Sequence, residues 1–210
     1  MSASTRIAIL DVDGTLTRVA SPWQYLHERL GLWDTEGRPI LDRYLAGESS
    51  YDDFCAADAA LWNREGLTLE AAGALLDQIP LRPAATGLLR ELAEREVAIL
   101  LLSTGFVRVA RRILEAAGSP PARILANDMI AIAGGRLAPR LDVSADRDDP
   151  RSKPALAGAA TRELGLRPAE VLLVGDRKAD LDLLGPRASG VLVRDDRDLT
   201  TVHEHLAAGR

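Results

Sequence analysis

Ile7-Ala8-Ile9-Leu10-Asp11-Val12-Asp13-Gly14-Thr15 is the stretch on which the reading of this chain turns. Four apolar residues, two of them β-branched, predict a short buried strand, and Gly14 marks where it stops. Two carboxylates leave that strand end together, at positions i and i+2, on one side of the chain. Ionised carboxylates that close repel by roughly 4 kcal/mol at about 4 Å for an effective dielectric of about 20. A divalent cation, a shared proton, or both can offset the repulsion. Asp and Gly are also ordinary turn residues, so the function of the segment depends on what the rest of the chain brings to it.

The frame is that of a soluble enzyme-sized protein. At 210 residues the chain suits one domain, or one domain carrying an insertion. Hydrophobic content of 47% with 27% charged residues is ordinary for a globular fold. A net charge of -5 gives no basic footprint, which argues against nucleic acid and anionic membranes as partners. One cysteine excludes an internal disulfide and suits a cytoplasmic location. Residues 1–6 are polar, so no signal peptide is expected, and no apolar run approaches the length of a membrane span. Either a monomer or a homodimer fits this composition.

Downstream of the first strand the pattern changes. Residues 22–79 hold no convincing strand and predict four helices: one opened by Ser21-Pro22, one near Pro39, one capped by Ser50, and one starting at Thr68. Seven of the eight aromatics fall here and only Phe106 lies outside, which predicts a separate helical unit with its own small core. Tyr51, Phe54, Cys55, Asp58 and Trp62 share one face of the third helix. Asp58 is the exception on that apolar stripe and needs a partner, a cation in a pocket being one option. Tyr51, Asp58 and Trp62 are therefore candidates for substrate selection.

From Arg82 onward helices and strands alternate, the pattern of an α/β parallel sheet. Residues 97–102 form a buried strand ending in Ser103-Thr104-Gly105, and 171–174 another ending in Gly175-Asp176, with Asp180 four residues on. A short strand at 123–126 and a hairpin over 129–137 lie between, and Lys153 opens a helix. The run 194–198 reads as a solvated loop, and His27, His203 and His205 are expected on the surface. Ligands of open α/β sheets bind outside the carboxyl ends of the strands, so the polar groups converge on one crevice. Ser103 and Thr104 precede a helix and can hold an anion there. Four ionised carboxylates (Asp11, Asp13, Asp176, Asp180) against one ammonium, Lys153, would repel a phosphate dianion. A bound Mg²⁺ and one protonated Asp would bring the site to neutrality.

These residues resemble the haloacid dehalogenase superfamily. Asp11-Val12-Asp13-Gly14-Thr15 is similar to its first motif, Ser103 in Leu102-Ser103-Thr104-Gly105 to its second, Lys153 to its third, and Gly175-Asp176-Arg177-Lys178-Ala179-Asp180 to its fourth. The resemblance implies a Rossmann-like core, residues 1–17 and 82–210, with a small helical cap, residues 18–81, inserted after the first strand. It implies a phosphatase acting on a small phosphomonoester: Asp11 as nucleophile forming an aspartyl-phosphate, and Asp13 as acid and base. Mg²⁺ would be held by Asp11, the Asp13 carbonyl and Asp176, with Asp180 behind them. Ser103, Thr104, Gly105 and Lys153 would bind phosphate. The chain looks most like the phosphoserine phosphatase branch, yet has Ala20 where that branch carries a Glu for the substrate amine. Asp58 stands opposite its carboxylate-binding Arg, which points to an amine-bearing or neutral, partly apolar ester instead. A phosphotransferase or phosphomutase on the same scaffold is the alternative. A phosphorylated signalling receiver or a non-catalytic binding protein is a more distant one.

Overall fold

The computed structural model describes residues 4–207; residues 1–3 and 208–210, at the ends of the expected core segments, lie outside the described residues. Six strands form one sheet: β1 Ile7–Leu10, β2 Ala98–Phe106, β3 Arg123–Ala131, β4 Leu137–Arg140, β5 Val171–Gly175 and β6 Ser189–Leu192, in the spatial order β4-β3-β2-β1-β5-β6. All neighbours run parallel except β3 and β4. The expected short strand and hairpin are thus one long strand, β3, that turns back through Gly134 and Gly135, both at positive φ, into an antiparallel edge.

The register explains the apolar run that opens the chain. Leu10 lies between Leu101 of β2 and Val174 of β5, so β1 is central and buried on both faces. Its side chains alternate: Ala8 and Leu10 join one apolar cluster, Ile7 and Ile9 the other. Strand order reverses direction at β1, which creates a switch point between β1 and β5 where a crevice opens.

Helices α1 Pro22–Arg29, α2 Arg38–Leu45, α3 Tyr51–Arg64 and α4 Leu69–Leu76, with a π-helical turn over Trp33–Gly37, follow β1. Their starts obey local chemistry: Ser21, Ser50 and Thr68 each accept a backbone N–H of the first turn with the side-chain oxygen. The chain leaves and re-enters the sheet layer side by side. Thr17 and Leu81 form an antiparallel bridge, flanked by Arg18 N–H to Pro80 O and Arg82 N–H to Leu16 O, each 2.9 Å. Helices α5 Pro83–Glu94, α6 Val107–Ala116 and α7 Lys153–Glu163 cover the sheet, and α8 Lys178–Leu181, α9 Asp196–Thr200 and α10 Val202–Ala207 complete it.

Four expectations are corrected. The aromatic cluster is not a separate core. Trp23 stacks on Trp62 at 5.5 Å and packs at a tilt against Phe106 of β2 at 4.6 Å, and the apolar cluster runs unbroken from the helices onto the sheet. Phe106, the one aromatic outside the helical stretch, is the joint between them. Next, 194–198 is no simple loop, because Asp195 accepts the N–H of Arg197 and caps α9. His27 is buried, 1% exposed, between Asp58 and Trp62; His205 is exposed, and the His203 side chain lies outside the described residues. Finally, Asp58 does not face an open pocket: it is 1% exposed inside the helical unit, with Oδ1 on the imidazole of His27.

Among the described residues no helix is long and apolar enough to cross a membrane.

Candidate active site

β1 ends at Leu10, and the next residues turn back sharply: Leu16 N–H bonds Val12 O at 2.8 Å, and Gly14 sits at φ +83°. A Cβ on Gly14 would lie 2.5 Å from Asp176 Oδ2, so only glycine satisfies both the backbone and the approach of the second acidic loop. The Arg82 guanidinium fixes this turn from below, donating to Gly14 O at 3.0 and 3.3 Å.

Asp11 is held at both oxygens. Thr15 Oγ1 donates to Oδ2 at 2.7 Å and Lys153 Nζ to Oδ1 at 2.5 Å. The same ammonium reaches Asp180 Oδ1 at 2.9 Å, and Asp180 Oδ2 accepts the Arg177 N–H at 3.3 Å. Burial pushes Asp11 above the ordinary carboxylate range, opposed by the Lys153 charge. Burial alone would lower Lys153, but Asp11 and Asp180 outweigh it and hold the ammonium above the usual lysine range, so it stays charged. Asp13 is pushed up to about 7, first by burial and then by the Asp11 charge. Its Oδ2 accepts a short hydrogen bond from Ser103 Oγ.

Four buried acid oxygens find no hydrogen-bond partner among the described residues: Asp58 Oδ2 and Asp196 Oδ1 away from this site, and Asp13 Oδ1 and Asp176 Oδ1 within it. Orphaned buried acceptors are costly, and such groups in a cleft point to something that binds there. Ligand oxygens of Asp11, Asp176 and Asp180 lie within 4.8 Å of one another. An all-oxygen donor set, with no hydrogen bond made to Asp176 Oδ1, fits a hard divalent cation of the Mg²⁺ type.

The structure therefore brings Asp11, Asp13, Ser103, Lys153, Asp176 and Asp180 together at the carboxyl edge of β1, β2 and β5. Residues 103–105 differ in detail from a helix N-terminus. They belong to an irregular end of β2, and α6 begins only at Val107. The Gly105 N–H is spent on Ser103 Oγ at 2.8 Å. The Thr104 carbonyl accepts Trp23 Nε1 at 3.0 Å, Tyr51 OH at 3.1 Å and Asn127 Nδ2 at 2.9 Å. Tyr51 thus stands at the edge of the site, whereas Trp62 and Asp58 do not reach it. Trp62 is fully buried, with Nε1 3.3 Å from His27 Nδ1; Asp58 Oδ1 is 2.8 Å from His27 Nε2.

Sequence reasoning missed Thr15, Trp23 and Asn127 as supports of the site. Asn127 is fully buried: its amide donates to Thr104 O and Tyr51 OH, and its Oδ1 accepts the Val143 N–H at 2.8 Å. The signal was present in Ile124-Leu125-Ala126-Asn127, a polar side chain closing an apolar run.

A mostly parallel sheet with acids gathered at its carboxyl edge defines an α/β enzyme. The family model of haloacid dehalogenase-like hydrolases matches residues 8–185, and the chain belongs to that family. It is 29% identical over 188 residues to a phosphoserine phosphatase of Halobacterium salinarum, covering 88% of this chain and 84% of that one. Among solved structures, a substrate-bound phosphoserine phosphatase complex superposes with a TM-score of 0.68 at 17% identity, over 94% of this chain and 98% of that one. A phosphoserine phosphatase from T. onnurineus gives 0.66 at 20% identity, over 97% and 96%. These last two likenesses establish the fold.

Proposed function

We propose that the chain is a phosphatase that hydrolyses a small phosphomonoester through an aspartyl-phosphate on Asp11, with Mg²⁺ held by Asp11, Asp176 and the Asp13 carbonyl and with Asp180 behind them. The observation that carries this reading is the gathering of Asp11, Asp176 and Asp180 oxygens, with Lys153 on Asp11 and Asp180, at the switch point of a family hydrolase fold. The cation would supply positive charge that lets a phosphate dianion approach the acids. Thr15 and Lys153 orient the Asp11 carboxylate for attack on phosphorus. Asp13, with a pKa near neutrality, gives a proton to the leaving oxygen and later takes one from the hydrolytic water. Ser103 and Lys153 hold the phosphoryl oxygens.

Residues 18–81 act as a cap over residues 1–17 and 82–210. Trp23 and Tyr51 reach from it to the Thr104 carbonyl, and Tyr44 OH and the Tyr51 N–H meet Asp146 at 2.9 and 3.0 Å. Ala20, where the phosphoserine branch carries Glu, argues against phosphoserine as the dedicated substrate. A cytoplasmic monomer or homodimer suits the buried lone Cys55 and the net charge of -5.

A phosphomonoester panel with Mg²⁺, then with chelator, tests the proposal. Turnover is expected with Mg²⁺, lost on chelation and restored by Mg²⁺, with inorganic phosphate as the product even when an acceptor alcohol is present. Asp11→Asn should lower kcat at least about 10⁴-fold in a protein with native circular dichroism. Undiminished turnover by that variant would remove Asp11 as nucleophile.

A further inference from the structure

A cavity of about 460 Å³ opens beside the acids and shares Thr104, Lys153 and Asp180 with them. Its other walls come from the 144–152 loop and from α8 with the loop before it, and they carry Arg147, Arg177 and Lys178. Most of the charge there is already matched. Lys153 pairs with Asp180 at 2.9 Å, Lys178 with Asp182 at 2.6 Å, and Arg177 Nε lies 3.7 Å from Asp176 Oδ1. Arg147 makes no ion pair or hydrogen bond among the described residues.

Arg147 is nonetheless placed by its neighbours. Asp146, one residue earlier, accepts from Tyr44 OH and the Tyr51 N–H, and donates its own N–H to Ser144 Oγ at 3.1 Å. Ser144 bridges to Ser152, directly before Lys153, and Val143 N–H is fixed by Asn127. The loop backbone is thereby tied to both the helical cap and the start of α7. Arg147 is exposed and lines the cavity from an anchored loop, so its guanidinium is open to an anionic group that enters there.

We propose that Arg147 is a specificity-determining residue: the alcohol released from phosphate carries a second anionic group, carboxylate or phosphate-like, which Arg147 binds in this cavity. The proposal rests on the phosphatase reading and refines it. It also replaces the preference for an amine-bearing ester, because that preference depended on Asp58, which is buried inside the cap beside His27. The cavity is about 10 Å across if rounded, long enough for an aromatic ring between a phosphate at Lys153 and an anion at Arg147. Ala145, Pro154 and Leu183 supply apolar wall for that ring.

The test compares kcat/KM for four matched esters: phenyl phosphate, 4-carboxyphenyl phosphate, 4-phosphonophenyl phosphate and 4-(aminomethyl)phenyl phosphate. The protein should prefer at least one of the two anionic esters over phenyl phosphate by about tenfold, the worth of a charge-assisted pair, mainly through KM. Which of the two it prefers tells carboxylate from phosphate-like recognition. Arg147→Ala should bring that ratio close to one, and Arg147→Glu should shift preference toward the aminomethyl ester, a reversal that a purely structural residue cannot produce. Equal kcat/KM on all four esters, or an equal loss on all four in Arg147→Ala, overturns the assignment while leaving the phosphatase reading in place. No hydrolysis of any ester with Mg²⁺ present overturns both.

Discussion

Asp13 shows how a single side chain takes its chemistry from its surroundings. It shares a turn with Asp11, yet one of its oxygens is bonded by Ser103 and the other by nothing among the described residues. Burial and the neighbouring charge raise it to about 7, so near neutral pH it can be found with or without its proton, as an acid and base in one group requires. Replacing it with Asn keeps size and shape and removes the proton. We expect Asp13→Asn to lower kcat by about 10²–10⁴-fold on alkyl phosphates, and by much less on a nitrophenyl ester whose leaving oxygen needs no proton. Steady-state rates across leaving groups of graded pKa check this; a uniform loss would reassign Asp13 to orienting rather than proton transfer. The acids were legible from their positions after apolar runs. Their supports were not, since Thr15 and Asn127 act through contacts that only the folded sheet creates.

Among the elements, the turn after β1 is the most constrained. Gly14 combines a left-handed backbone with a close approach to Asp176, so a methyl group there is opposed twice. Gly14→Ala should destabilise the protein by about 1–2 kcal/mol from the backbone alone. By displacing Asp176 it should also raise the Mg²⁺ concentration for half-maximal activity about tenfold or more. Chemical denaturation and a Mg²⁺ titration read the two effects separately. The strands β1, β2 and β5 and the four helices after β1 were readable because apolar runs and capping residues are local signals. The boundaries of β3 and the nature of α9 were not. β3 is extended by pairing with β4, a contact made across the turn, and α9 by a cap among charged residues that otherwise read as solvated. The Asp58–His27 pair failed for a related reason. A helical stripe tells which residues face inward, not which distant side chain, 31 positions earlier, waits there.

At the scale of the molecule, the sequence predicts two cores and the structure has one apolar cluster that spans the helices after β1 and the sheet. Uneven aromatic placement follows the helical stretch after β1, but composition cannot show that Phe106 would join that stretch to the sheet. Ion pairs reinforce the seam: Arg108 on α6 grips Asp77 behind α4 at 2.6 and 2.8 Å, and Arg151 reaches Asp52 on α3 at 2.8 Å. The chain should therefore unfold as one cooperative unit. All three tryptophans (Trp23, Trp33, Trp62) lie in the insert, so their fluorescence reports on it, while far-ultraviolet dichroism reports on the whole. Urea midpoints from the two signals should coincide; an earlier fluorescence transition would show an independently melting insert. The bridge between Thr17 and Leu81 adds a consequence for lineage rather than chemistry. Because the chain departs and returns through neighbouring residues, everything between them can be exchanged as a cassette without rerouting a single strand. What restricts such a swap is wetting, for any newcomer must bring its own greasy partner for Phe106 or leave that ring facing water.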